Sequence, residues 1–252
     1  MDSDLDFNFN KDDTSTAAPS ESVSAAQPTK TSPAATASTP RRGPFKMMTV
    51  FDKFPDGRLS HRWLEKRYED GINVRHGLYE EYYENGNKFL QGQYADSERT
   101  EAWTYWHPNG QVAKGGRYVH GKSNGKWSLF RTDGLLDREE NYLAGKAHGP
   151  WKRYHSDGKT IVEQQTYDHG KPHGIWTKWY PPSQEQAGKL VRQLETRYQH
   201  GQRHGETSHW YKSGQQARLE NYLQGKRHGA FKSWHRDGNL TAEVRYENGE
   251  RK

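Results

Sequence analysis

The chain has 252 residues, 30% of them hydrophobic and 13% aromatic, and its formal charge of +6 is the small difference between 38 basic and 32 acidic residues. So few aliphatics exclude a large conventional core, and charges of both signs mixed along the chain explain a solvated surface before they explain nucleic-acid binding. With no cysteine, disulfides, thiolate metal sites and cysteine nucleophiles are excluded. No run of about 18 apolar residues is present to span a bilayer and the N-terminus lacks a signal-peptide pattern. The expectation is a soluble chain, cytoplasmic or exported after processing.

Residues 1 to 46 combine an acidic start with a Ser/Thr/Ala/Pro stretch and Arg41-Arg42-Gly43-Pro44. Such a segment buries too little apolar surface to offset its ordering entropy, which predicts a disordered tail acting as a tether. Leu5, Phe7 and Phe9 alternate with polar residues near its start and make a candidate docking peptide.

From residue 47 the composition changes, and imperfect copies of one pattern run to residue 252. The reference copy is Asn141 to Gly158, NYLAGKAHGPWKRYHSDG. Copies end at Gly57, Gly86, Gly110, Gly134, Gly158, Gly188, Gly214 and Gly238, with an interval of 24 residues in four cases. A fixed period of this length is the signature of a repeat architecture. The recurring positions are a tyrosine (Tyr118, Tyr142, Tyr167, Tyr198, Tyr222), a His-Gly glycine (Gly125, Gly149, Gly174, Gly205, Gly229) and a tryptophan (Trp103, Trp127, Trp151, Trp176). Three copies diverge. One has Ser97 and Thr100-Glu101 in place of the loop glycine and the His-Gly pair, one has Asn124-Gly125, and one has Thr207 at the tryptophan position. An insertion beginning at Pro181-Pro182 predicts a longer turn bulging from the sheet edge. Tyr246 and Gly249 begin a further copy that stops at Lys252, which predicts an exposed sheet edge.

Each copy holds two stretches rich in Tyr, Trp, Val and Thr, separated alternately by Asn/Asp-Gly and by Gly-x-x-His-Gly. The first pair suits a tight hairpin turn needing positive φ, and the second reads as a longer loop with glycine at two left-handed places. The fold class is therefore all-β, an elongated antiparallel meander of tandem hairpins, about seven units of roughly 24 residues, with helix excluded by the glycine frequency. Trp151 and Tyr154 are an odd number of residues apart and fall on opposite faces of a strand. That places the first tryptophan row among the structural positions and makes Trp106, Tyr154, Trp179, Trp210 and Trp234 the candidate binding surface.

Tyr-x-x-Gly-Lys-x-His-Gly-x-Trp-x-x-Tyr-x-x-Asp-Gly, at Tyr142 to Gly158, resembles the MORN-repeat variant of bacterial YwqK-like antitoxin proteins. It is similar, more distantly, to the MORN repeats of eukaryotic scaffolds. The resemblance covers about residues 50 to 252. It implies tandem β-hairpins without catalytic residues, and it implies protein interaction and scaffolding, membrane or phosphoinositide contact, or sequestration of a toxin as functions.

Thirteen histidines invite a metal reading, and His169/His173 and His200/His204 have four-residue spacing. However, His76, His148, His173, His204 and His228 recur once per unit, which sets neighbours two strands or roughly 9.5 Å apart. Ligands to one zinc lie about 2 Å from it. The histidines are therefore predicted to be turn residues, with no metal, cofactor or catalytic set. The resulting expectation is a non-enzymatic protein-binding scaffold. The alternatives are anionic lipid headgroups or glycans held by Lys/Arg beside aromatics, or an antitoxin that sequesters a partner; nucleic acid is a weaker candidate.

Overall fold

The computed structural model describes residues 43–182 and 189–252. The tail up to residue 42, with its docking peptide, lies outside the described residues. Phe45 and Lys46, the last two residues of the tail expected over 1–46, are part of strand β1 (Phe45–Lys53). The Phe45 ring packs 5.5 Å from Tyr68, and Lys66 sits over it at 5.0 Å, so these apolar and cationic side chains extend the sheet.

Among the described residues there is no helix. Twenty strand segments, from β1 to β20 (Glu250–Arg251), form one antiparallel sheet in which each strand pairs with the strands before and after it in the chain. This is the expected all-β meander of hairpins. Three segments, β9 (Lys146–Ala147), β12 (Lys171–Pro172) and β17 (Lys226–Arg227), are the starts of strands that break at a histidine. They resume as β10 (Gly149–Tyr154), β13 (Gly174–Trp179) and β18 (Gly229–Trp234).

The two turn types are the reverse of the sequence expectation. At Asn/Asp-Gly the chain makes a three-residue loop: Gly57 N–H donates to the Phe54 carbonyl (2.9 Å) and Phe54 N–H to the Arg58 carbonyl (2.8 Å). Here only the glycine has positive φ. The Asn or Asp acts through its side chain, since Oδ1 of Asp56, Asn85, Asn109, Asp133, Asp157 and Asp237 each accepts the amide two residues on. The two-residue turns with both φ positive lie at the other edge, at Asp96-Ser97, His120-Gly121, Ala144-Gly145, His169-Gly170, His200-Gly201, Gln224-Gly225 and Asn248-Gly249. Turns of that hand match the strand twist. Their first residue varies from copy to copy, which hides them from a search for Asn-Gly.

Those tips close back onto an earlier strand. The second tip amide donates to the residue before each His position: Ser97 to Arg75, Gly121 to Arg99, Gly145 to Ser123, Gly170 to Ala147, Gly201 to Pro172, Gly225 to Arg203 and Gly249 to Arg227, at 2.7–3.0 Å. The first tip amide reaches the His position itself. Asp96 donates to His76 Nδ1 (3.3 Å), His169 to His148 Nδ1 (3.4 Å), and Ala144 to Asn124 Oδ1 (3.3 Å). Asn124 thus does the work of a histidine, and histidine at this place is a hydrogen-bond acceptor in a turn.

The glycine after the histidine is left-handed, from +68° at Gly174 to +94° at Gly77. Glu101 fills this position at +57°, a conformation that costs a non-glycine residue about 1–2 kcal/mol. Its ion pair with Arg117 (2.9 Å) is more than half exposed on both sides and offsets at most about 1 kcal/mol. Glu101→Gly should therefore raise unfolding stability by about 1 kcal/mol, while Gly149→Val lowers it by more, as read by urea denaturation.

Candidate interaction surface

One face of the sheet carries rings from successive strands that meet in a chain. Tyr79, Tyr94, Trp103, Tyr118 and Trp127 follow one another at centroid distances of 5.4, 5.2, 5.9 and 5.0 Å. A second run joins Tyr142, Trp151, Tyr167, Trp176 and Tyr198 at 5.3, 5.1, 5.1 and 4.6 Å, and a third joins Tyr222, Phe231 and Tyr246 at 5.6 and 4.8 Å. Trp103 is 1% exposed, Trp127 4%, and Trp176 and Tyr167 8% each, so these rings are the core of the sheet. Trp151, Tyr118, Tyr142, Tyr198 and Tyr222 are half-buried. Two indole N–H groups of the second run are paired, Trp151 donating to the Asn141 carbonyl (2.9 Å) and Trp176 to the Thr166 carbonyl (2.8 Å), whereas the buried Trp127 Nε1 has no partner. Burial pushes the Tyr79 and Tyr167 hydroxyls up to about 12.

The chain of rings breaks where Thr207 replaces tryptophan. Its hydroxyl bonds Thr196 Oγ1 at 2.6 Å, both residues being buried, and Arg203 crosses the gap to donate to the Tyr222 hydroxyl (3.1 Å). Arg203 belongs to a set the sequence reading missed. Arg75 lies over Tyr79 and Tyr94 (5.3 and 5.7 Å), Arg99 over Trp103 and Tyr118 (4.7 and 5.4 Å), Arg203 over Tyr222 (5.2 Å) and Arg227 over Tyr246 (5.4 Å). All four stand immediately before the His position. The signal was a recurrent arginine there, and the three intervening copies have Ser123, Ala147 and Pro172 instead.

Trp106, Tyr154, Trp179, Trp210 and Trp234 are half-buried, not open. Lys88 sits over the Trp106 ring (5.5 Å), Tyr154 donates to Glu139 Oε2 (2.9 Å), and Arg192 sits over Trp210 (5.6 Å) beside an open depression of about 490 Å³. Burial first, then the Glu139 bond, pushes the Tyr154 hydroxyl up to about 12. The backbone carbonyls of Trp106, Trp210 and Trp234 accept the hydroxyls of Tyr83, Tyr180 and Tyr211, each at 2.8 Å. Neighbouring hairpins thus bond the backbone of three of these positions and the Tyr154 hydroxyl, while the rings themselves remain half-buried.

Two glycines let the tryptophans lie flat on the sheet. A Cβ on Gly92 would come within 2.1 Å of the Trp103 ring, and one on Gly116 within 2.1 Å of Trp127, whereas one on Gly115 meets only a carbonyl at 3.7 Å. Gly116→Ala should cost about 1–3 kcal/mol by overpacking and Gly115→Ala less than about 0.5 kcal/mol. Thermal melts of the two single variants separate the outcomes.

The family described as MORN repeat variant matches residues 75–96, 147–169 and 227–248. Each match starts at the residue whose carbonyl accepts the returning tip amide and ends at the first tip residue, so the matched segment is the hydrogen-bonded unit of the fold. No curated protein matches the chain. Three of the repeats thus match the MORN repeat variant, and the other units close through the same tip-to-strand hydrogen bond.

Proposed function

We propose that the protein is a non-enzymatic scaffold that holds a protein partner on the middle run of rings, Tyr142, Trp151, Tyr167, Trp176 and Tyr198. One observation carries this reading. Ahead of three successive His positions the covering arginine is replaced by Ser123, Ala147 and Pro172, whose side chains are too short to lie across the rings. Among the described residues the strands pack mainly against their hydrogen-bonded neighbours, and in this run Tyr142, Trp151 and Tyr198 are half-buried while Tyr167 and Trp176 are buried between them. Tyrosine and tryptophan in a contiguous row, edged by charged residues such as the Arg153–Glu163 pair (2.8 Å), have the composition of a protein-binding hot spot. A repeat sheet also lets copies diverge one at a time, and the N-terminal segment serves as a tether.

The test uses substitutions that other copies already carry. Ala147→Arg and Ser123→Arg place arginine where Arg75, Arg99, Arg203 and Arg227 stand, and should abolish partner capture at moderate salt while the melting temperature stays within about 2 °C. Unchanged capture by the double variant contradicts the assigned surface. Retention on anionic liposomes that fades steeply with salt, with no protein recovered, would replace the scaffold with a lipid-binding reading.

A further inference from the structure

We infer that His148, Asp168 and His169 form a binding site for a divalent first-row transition metal at one hairpin tip. The argument from repeat spacing holds between His positions, but a second position escapes it: the first residue of the two-residue turn. Closure of the 147–170 unit brings that turn onto the His position of the same unit, through the Gly170 amide to the Ala147 carbonyl (2.7 Å). The His148 and His169 rings then lie 4.9 Å apart. Asp168 Oδ1 stands 3.4 Å from His148 Nδ1 and 2.6 Å from His169 Nδ1, and one ligand atom from each residue lies within 4.8 Å of the others.

Folding does not call for this combination. The preceding unit closes with Asn124, Leu143 and Ala144 at the same three places, and the following one has His173, Gln199 and His200. Histidine at the first place of the turn is not itself distinctive, since His120 and His200 take the same left-handed φ there; it is the meeting of His169 with His148 and Asp168 that is. Among the described residues, this is the one unit that sets three donors together. Two imidazoles and a carboxylate suit zinc and its neighbours in the series. Tetrahedral bonds of about 2.0–2.2 Å put donor atoms roughly 3.3 Å apart, the separation already present between His148 and Asp168. The 2.6 Å contact needs a side-chain rotation, and at 64% exposure His169 has room for it. The amide bond that His148 Nδ1 accepts from His169, at 3.4 Å, is long enough to give way. Three protein donors leave a fourth position for water or for a group from outside the chain.

The probe is zinc chloride titrated calorimetrically into the full chain. One equivalent should bind, and loss of a ligand should cost at least what loss of an outer-shell partner does, about 10–100-fold in affinity. His148→Asn and His169→Ala should each show that loss and still fold, because Asn124 and Ala144 occupy those places in the unit before; a melt of each confirms it. His120→Ala, at the equivalent turn beside Thr100, should bind as the unaltered chain does. Undiminished zinc binding by the His148→Asn/His169→Ala pair, loss of binding through His200→Ala instead, or no binding at micromolar zinc would each overturn the site.

Discussion

The fold depends on what happens to two amides at each hairpin tip. A two-residue turn leaves both of its N–H groups without a strand partner, and an isolated hairpin of this size is marginal in water. Here the second is taken up at all seven tips by a backbone carbonyl of the strand beyond the hairpin, as Gly145 by Ser123, and the first by the His or Asn side chain next to it at Asp96, Ala144, His169 and Asn248. The strand must turn its carbonyl and side chain toward the tip, and the left-handed glycine after the histidine does this. Tyrosine, loop glycine, histidine and second glycine therefore recur together because they serve one hydrogen-bonded closure.

The other consequence is that the described residues form one sheet. Apolar burial comes from rings laid along the sheet, on Gly92 and Gly116 in the earlier copies and against each other throughout. Since each ring touches mainly its neighbours, one copy can lose its tryptophan and be repaired locally, as Thr207, Thr196 and Arg203 show. Surface character then varies copy by copy: arginine covers the rings in four units and is missing from three. The run of rings from Tyr142 to Tyr198 and the His148, Asp168 and His169 cluster arise in the same middle region without any change in the pattern of strand pairing.

Much of this was legible from residue order alone. Periodic glycines and aromatics specify hairpins, and the odd spacing of Trp151 and Tyr154 places them on opposite faces. The turn types were not legible, because Asn/Asp-Gly advertises a tight mirror-image turn while here the Asn or Asp caps a longer loop with its side chain. Ala144-Gly145 and Gln224-Gly225 do make the tight turn, with no local signature beyond one glycine. The candidate site was half visible. Tyrosine and tryptophan positions were found, but the arginines laid over them, as Arg75 over Tyr94 and Arg99 over Tyr118, are relations between neighbouring strands that residue order does not display. The meeting of His148 with His169 likewise exists only once the tip has closed.

Amide hydrogen exchange at the tip glycines tests the closure most directly. Gly121, Gly145, Gly170 and Gly225 sit in exposed turns where an ordinary hairpin amide exchanges at nearly the rate of an unstructured peptide. Closure predicts protection there comparable to that of the adjoining strand amides, lost locally when the left-handed glycine preceding the closure is replaced, as in Gly149→Val for Gly170. Unprotected exchange at these glycines, with the strands on either side fully protected, would contradict it.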